Sequence, residues 1–249
     1  MADISDLRKE IDQIDAELVT LYLRRLEAVT RIGEYKRRHD LPVYDPLREQ
    51  QLLERVSTLA GPDHEAGIRE LFGLLMSQSK AYQRQLLFNI VLIGMPGCGK
   101  STVGELVARR MGRPLINTDL LVERKTDGLT CGEYIRQYGE SAFRDLETEA
   151  VREAAAQTGC VIATGGGAVT RPQNMEALRD HGVVFQIQRP LAELEISPER
   201  PLSDTRQKLQ ALWDARGPLY ASSRDYGVEG SDAADRAEKI VALFKKHFQ

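Results

Sequence analysis

The stretch GMPGCGKST at residues 94–102 constrains the fold more than any other feature, because it matches the pattern G-x-x-x-x-G-K-[ST]. It follows the apolar run NIVLIG and precedes a helical pattern. In that setting, backbone amides of the loop and of the helix start form a cradle for phosphate groups. The residues expected to bind the nucleotide are Gly94, Gly97, Cys98, Gly99, Lys100, Ser101 and Thr102. Lys100 is expected to contact the outer phosphates of ATP and Ser101 to ligate Mg²⁺, while the Cys98 side chain points away.

The rest of the chain after residue 88 alternates between short apolar runs and helical patterns. RPLIN, CVIAT and VVFQI are typical of buried parallel strands, and ETEAVREAAAQTG and RAEKIVALFKKHF of helices. This alternation predicts a doubly wound α/β domain with a parallel sheet, of the P-loop type because of the loop at 94–102. Because the chain before it is helical throughout, we predict two domains, an all-α domain at 1–87 and an α/β domain at 88–249.

Composition excludes several other classes of protein. The net charge of −3 lacks the basic excess of a nucleic-acid-binding protein. No apolar run approaches the roughly 18 residues of a membrane span, and the N-terminus has no signal-peptide pattern. The three cysteines are widely spaced and form no metal-binding or disulfide pattern. A cytoplasmic location is the expectation.

The helical region is predicted to contain three helices. The first extends from about Ile4 to His39 and ends before Pro42. The second begins at Asp45-Pro46, an N-cap residue followed by proline, and ends near Leu59, whereas the third covers about 65–87. Three helices in about 87 residues bury a thin core, so dimerisation is expected.

Polar residues interrupt the apolar stripes of these helices. Arg25 and Lys36 lie eleven residues apart and share one helical face, while Ser79 and Gln83 continue the stripe of the third helix. Arg8 precedes Arg25 by 17 residues and is rotated by about 100°. One such arginine could be solvated or could set helix register. Several converging polar groups instead favour a dianionic ligand, since unpaired buried charge is costly.

Three stretches carry a resemblance to the all-helical class of chorismate mutase: DLRKEIDQIDAELVTLYLRRLEAVTRIGEYK, PVYDPLREQQLLERV and LFGLLMSQSKAYQRQ. The resemblance implies an intertwined homodimer that converts chorismate to prephenate. The implied site residues of one chain are Arg25, Lys36, Asp45, Arg48, Glu49, Ser79 and Gln83, with Arg8 supplied by the partner chain. The arginines would clamp the carboxylates, Lys36 and Gln83 would donate to the ether oxygen, and Glu49 would accept the hydroxyl.

The α/β region resembles shikimate kinase through NTDLLVE, GESAFRDLETEA, VIATGGGAVTRP, ERPLS and RGPLY, taken in this order. The resemblance implies that shikimate is bound by Asp119, Arg144, Gly166, Gly167 and Arg216. Asp119 would orient or deprotonate the attacking hydroxyl, and Arg200 would be the lid arginine that closes over the phosphoryl group. Two structural alternatives stay open: Asp119 as a helix cap, and Arg144 as an ion-pair partner of Glu147.

Two departures from the kinase pattern stand out. Asn117 occupies the position where the family usually has a metal-holding aspartate, and the lid between Ile187 and Arg200 is short and lacks an arginine for the adenine. We therefore predict weakened affinity for ATP or Mg²⁺.

The leading hypothesis is a bifunctional enzyme of aromatic amino-acid biosynthesis. One alternative is an active mutase whose kinase-like domain is weakly active or regulatory. Another is a kinase of a different small acceptor with a helical dimerisation arm, although two arginines suit a carboxylate better than a neutral polyol.

Overall fold

The computed structural model describes residues 3–39 and 41–248, with only the backbone of Arg37. The chain forms two compact units, one of which ends its main segment at Leu87 while the other comprises Phe88–His247. No helix in these described ranges is long and apolar enough to cross a membrane.

The first unit consists of three helices: α1 Ile4–Arg38, α2 Pro46–Ala60 and α3 Glu65–Leu87. Local chemistry sets the ends of α2, because the Asp45 carboxylate accepts from the backbone N–H of Arg48 at 3.0 Å and Gly61 follows with a φ of +75°. Helix α3 packs against both α1 and α2. Among the residues of this unit that the structure describes, few apolar side chains are buried: Val29, Val56 and Met76.

The first half of α1 leaves its apolar stripe uncovered within this unit. The side chains of that stripe are 46% to 61% exposed, and they are Ile4, Leu7, Ile11, Ile14, Leu18 and Leu21. A contiguous apolar face of this kind marks an interaction surface.

The second unit contains a parallel sheet. Its strands are β1 Asn89–Ile93, β2 Leu115–Asn117, β3 Val161–Ala163, β4 Gly182–Ile187 and β5 Tyr226–Val228, in the spatial order β2-β3-β1-β4-β5. Its helices are α4 Lys100–Met111, α5 Thr118–Lys125, α6 Cys131–Ala155, α7 Pro172–Asp180, α8 Arg206–Ser223 and α9 Ala233–Lys246. The α/β fold with a parallel sheet is confirmed.

The predicted site residues of this unit follow the carboxyl ends of the strands. All five residues of the central strand β1 are buried, and the chain passes from this strand into the glycine-rich loop and then α4. Strand β2 leads into α5 at Asn117, and β3 leads into the Gly165–Gly167 turn. Parallel strands gather such loops at one edge of the sheet, where ligands bind in folds of this kind.

Candidate active sites

Arg25 and Ser79 join α1 to α3 in the helical unit. Nη1 of Arg25 donates to Oγ of Ser79 and, at 3.2 Å, to the carbonyl of Leu75. Ser79 and Gln83 are both buried, although they are polar. Gln83 packs against α1 at Gly33, where an added Cβ would lie 3.5 Å from its Cγ. Three of the residues predicted for the helical site therefore lie together between α1 and α3.

Lys36 of α1 contacts the segment before α2, and Glu49 in the first turn of α2 contacts α3. Nζ of Lys36 donates to the carbonyl of Val43 at 2.7 Å, just before α2. Glu49 is half-buried and pairs with Lys80 of α3 at 3.0 Å. The carboxylate of Asp45 serves as the N-cap of α2, and the side chain of Arg48 is exposed.

The sequence patterns did not point to Lys80, which contacts the predicted site residue Glu49. It lies four residues after Met76 and three before Gln83, on the inward stripe of α3. This spacing alone indicates that the Lys80 side chain lies on the same helical face as Gln83.

Arg8 is not brought to this cluster by its own chain. It is exposed and lies 17 residues before Arg25 on the same helix, about 25 Å along the axis. A lone chain therefore leaves Arg8 separate from Arg25.

The glycine-rich loop adopts a backbone that requires glycine at several points. Gly94, Gly97 and Gly99 have φ values of +145°, +75° and +92°. Lys100 is buried, and its Nζ donates to the carbonyls of Gly94 at 2.9 Å and Met95 at 3.0 Å. The lysine is thus folded back over the loop, with its charge next to the space that the loop encloses.

Asn117 links the second strand to the loop. Its Oδ1 accepts from the backbone N–H of Asp119 at 3.0 Å and caps α5, while its Nδ2 donates to Oγ of Ser101 at 3.3 Å. Asn117 is therefore the helix cap, and the carboxylate of Asp119 is left for another role. This excludes the first structural alternative for Asp119.

A cavity of about 220 Å³ lies at the carboxyl edge of the sheet. The predicted residues that line it are Gly97, Gly99, Lys100, Ser101, Thr102, Asp119, Arg144, Gly166, Gly167, Arg200 and Arg216. Gly94 and Cys98 are not part of its wall, and the side chain of Cys98 is buried.

The segment around Arg200 forms part of the wall of this cavity, through Glu195 and residues 199–203. A Cβ on Gly97 would collide with the backbone of Glu195, and a Cβ on Gly132 would collide with the carbonyl of Glu199. Arg136 donates to the carbonyl of Pro198 at 2.6 Å. The short segment before α8 therefore contacts both the phosphate loop and the start of α6.

Arg144 is held by two carboxylates. Its Nη1 lies 2.7 Å from Oε2 of Glu147, while its Nη2 and Nε lie 2.8 and 3.2 Å from Oε1 of Glu140. Nη2 of Arg216 lies 3.7 Å from the same Glu140 oxygen. The ion pair between Arg144 and Glu147 is thus formed, as the second structural alternative stated. Arg144 nevertheless also lines the cavity. Glu140 was missed by the sequence reasoning.

Burial dominates the titration of the acidic groups here. Burial raises the pKa of Asp119, against the lowering effect of the positive charges of Lys100, Arg200 and Arg144. Burial also raises the pKa of Glu147, and the Arg144 guanidinium opposes that shift. The site thus combines the half-buried Asp119 carboxyl, which has no role in helix capping, with several cations, an arrangement suited to transfer between a hydroxyl and a phosphoryl group.

Comparisons with known proteins agree with both units. The sequence model of the family described as "Shikimate kinase" matches residues 96–246, and that of "Chorismate mutase type II" matches residues 7–84. Shikimate kinase from Geobacter sulfurreducens is 39% identical over 168 residues, covering 64% of this chain and 92% of that protein. Shikimate kinase from Acinetobacter baumannii strain AYE is 38% identical over 175 residues, covering 66% of this chain and 95% of that protein.

Solved structures give the same assignment for the α/β unit. Shikimate kinase from A. baumannii in complex with shikimate superposes with a TM-score of 0.62 at 35% identity, covering 67% of this chain and 98% of that chain. Shikimate kinase from Aquifex aeolicus superposes with a TM-score of 0.56 at 28% identity, covering 64% of this chain and 97% of that chain. The chain therefore belongs to the shikimate kinase family and carries a type II chorismate mutase domain as its N-terminal unit.

Proposed function

We propose that this chain is a bifunctional enzyme that rearranges chorismate to prephenate and phosphorylates shikimate with ATP. The observation that carries the kinase half is one cavity that gathers Lys100, Asp119, Arg144, Arg200 and Arg216. The mutase half rests on the polar residues that meet between the helices, together with the family match. The functional boundary is proposed at residues 87 and 88.

In the kinase, Arg144 and Arg216 bind the carboxylate of shikimate, because paired guanidinium groups suit a planar anion. Gly166 and Gly167 line the same wall, where a Cβ on Gly167 would overlap the Arg144 guanidinium. Asp119 in its ionised form accepts the proton of the attacking hydroxyl. The acceptor is therefore an anionic polyol rather than a neutral one.

ATP, bound with Mg²⁺, supplies the phosphoryl group. The loop fits this pair because glycines with positive φ let a loop of this kind wind closely around a phosphate, and Nζ of Lys100 lies against the loop carbonyls of Gly94 and Met95. Lys100 and Arg200 neutralise charge on the phosphates, and the hydroxyl of Ser101 holds Mg²⁺. Catalysis by these groups consists of positioning and charge neutralisation.

Asn117 leaves this metal site with one carboxylate fewer than the family pattern. Its amide donates to Ser101, so it orients the proposed Mg²⁺ ligand without adding negative charge. The missing negative charge at Asn117 supports the expected weak affinity for Mg²⁺ and favours, as a second candidate, a weakly active or regulatory kinase domain. Asn117→Asp should then lower the Mg²⁺ concentration needed for half-maximal kinase activity.

In the mutase, Arg25 and Arg48 bind the carboxylates of chorismate, and Ser79 orients Arg25. Lys36 and Gln83 donate to the ether oxygen as its bond breaks, and Glu49 accepts the hydroxyl. Asp45 lines the site next to Arg48. The reaction is unimolecular, so holding the reactive conformer supplies much of the rate enhancement.

A homodimer completes this mutase site. Arg8 lies about 25 Å along α1 from Arg25, so it reaches a site only in a second copy of the chain. The exposed apolar stripe of α1 supports the same assembly, since a second copy would bury it.

The test is to assay the purified chain on chorismate alone and, separately, on shikimate with ATP and Mg²⁺. Both activities are expected. Turnover of chorismate without phosphorylation of shikimate would support the regulatory alternative. Phosphorylation of another acceptor, with no turnover of chorismate, would support a kinase carrying a helical dimerisation arm.

A further inference from the structure

Lys80 belongs to the inward stripe of α3 rather than to its solvent face. It follows Met76 by four residues and precedes Gln83 by three, so the three side chains share one face. Met76 and Gln83 are buried, and the side chain of Lys80 is 32% exposed. A lysine at this position adds a cation beside the polar cluster of Arg25, Ser79 and Gln83.

The contacts of Lys80 connect α3 to the beginning of α2. Its Nζ lies 3.0 Å from Oε1 and 3.1 Å from Oε2 of Glu49, nearly midway between the two oxygens. It also lies 5.2 Å from the centre of the Tyr44 ring, a cation–π distance. Lys36 fixes the same segment from α1 through the carbonyl of Val43. The Glu49 carboxylate is thus oriented by a group on another helix.

This arrangement leaves Glu49 able to accept a further hydrogen bond. An ionised carboxylate has about four acceptor positions, and one ammonium group placed between its oxygens does not fill them. A hydroxyl that donates to a charged acceptor is also held more strongly than one that donates to a neutral acceptor. A pair as solvent-exposed as this one contributes little to stability, which makes orientation its more important effect.

We propose that Lys80 is a positioning residue of the mutase, which holds the Glu49 carboxylate where it accepts the hydroxyl of the substrate. The inference rests on the proposed mutase function. Lys80 acts through Glu49 and does not itself contact the carboxylates of the ligand. The competing arrangement, in which the Lys80 ammonium binds a ligand carboxylate directly, predicts a different pattern of variants.

A double-mutant cycle on the full chain separates these arrangements. Lys80→Met keeps the aliphatic stem and removes the charge, and Glu49→Gln keeps the shape of Glu49 and removes its charge. We expect each single variant to lower kcat/KM for chorismate about tenfold, the lower range for a hydrogen bond to a charged group. The double variant should be no worse than Glu49→Gln alone, because Lys80 then has nothing left to position.

The kinetic constants distinguish positioning from a fold defect. Because the hydroxyl is bound in both the ground state and the transition state, the loss should appear in KM, with kcat changed by less than about twofold. Lys80→Arg should recover most of the loss. A merely structural lesion would lower the active fraction, and hence kcat, at an unchanged KM.

Arg69→Met provides the matched control, since it removes another ion pair of α3, to Glu65 at 3.6 Å. It should leave both constants unchanged. If losses in the double variant multiply, or if Lys80→Met turns over chorismate like the wild type, the positioning role is wrong. Failure of the wild type itself to convert chorismate would instead overturn the mutase function.

Discussion

Nη1 of Arg144 lies 2.7 Å from Oε2 of Glu147, a carboxylate whose other oxygen is buried with no hydrogen-bond partner in the described part of the chain. The opposite edge of the same guanidinium is taken by Glu140, at 2.8 and 3.2 Å. Arg144 is therefore fixed between two acids before any substrate arrives. Glu147 is nearly fully buried, whereas the Glu140 side chain is 46% exposed and follows Gly139, where φ of +85° kinks α6.

Glu140→Gln should lower the KM for shikimate severalfold. The Glu140 carboxylate lies near both Arg144 and Arg216, so under the proposed function it would compete with the substrate carboxylate for the two guanidinium groups. Removing its charge leaves that pair of cations less neutralised. Steady-state kinetics at saturating ATP measure the change.

Glu153→Gln is the control for this prediction, because Glu153 is also on α6 and pairs with Lys125 at 2.9 Å, a pair remote from Arg144 in the α5–α6 contact. Its KM for shikimate should equal that of the wild type. A raised KM in Glu140→Gln would mean that Glu140 supports substrate binding rather than opposing it.

The raised pKa of Asp119 predicts how kinase activity depends on pH. Only the ionised carboxylate accepts a proton, and burial raises its pKa above the ordinary 3.8. The acidic limb of kcat/KM for shikimate should therefore lie at a higher pH than an ordinary aspartate would give. Asp119→Asn should reduce kcat by about 10² to 10⁴, the range for loss of a general base.

The same shift predicts the effect of Asp119 on stability. Because its folded-state pKa is raised, proton binding favours the folded state, and that contribution is lost as pH rises through the folded-state pKa. At neutral pH the ionised group therefore destabilises the kinase unit. Asp119→Asn should raise the thermal midpoint of the ATP-sensitive transition at neutral pH, with a smaller gain at acidic pH. An equal gain at both would rule out this electrostatic origin.

Short-range sequence patterns predicted the parts of the fold that depend on local chemistry. The Asp45-Pro46 start of α2, the phosphate loop and four strands all follow from capping, glycine spacing or apolar runs. Strand β5 was missed because three residues with a central glycine give no apolar run, and it forms through pairing with β4. The Glu140 contact with Arg216 joins α6 to α8, so no local pattern could show it.

Arg25→Ala should lower kcat/KM for chorismate. The expected loss of transition-state stabilisation is about 2 kcal/mol or more, typical of a residue that dominates binding. Arg25 is half-buried against Ser79 and the carbonyl of Leu75, so alanine removes both its charge and these contacts. Phosphorylation of shikimate should not change. Arg24→Ala is the control, since Arg24 is the exposed neighbour. Unchanged prephenate formation in Arg25→Ala would show that the site assignment is wrong.

Lys100→Ala should have the opposite selectivity. Its buried Nζ lies on the carbonyls of Gly94 and Met95, next to the proposed phosphate position, so its loss removes a charge that neutralises the phosphates. Shikimate phosphorylation should fall by two orders of magnitude or more, as when other preorganised charge-stabilising donors are removed. The rate on chorismate should match the wild type. A parallel loss of both activities would indicate global misfolding instead.

Leu18→Asp tests whether a second copy covers α1. Leu18 is 55% exposed in the apolar stripe of α1, where an aspartate is harmless in a monomer but is buried without a partner in a dimer. Sedimentation should show a dimer for the wild type and a monomer for the variant. Mutase activity should fall with the dimer, because Arg8 then no longer reaches the Arg25 cluster, while kinase activity persists. Arg31→Asp, on an exposed position of the same helix, should stay dimeric. If Leu18→Asp is monomeric yet fully active as a mutase, Arg8 is not supplied by a partner chain.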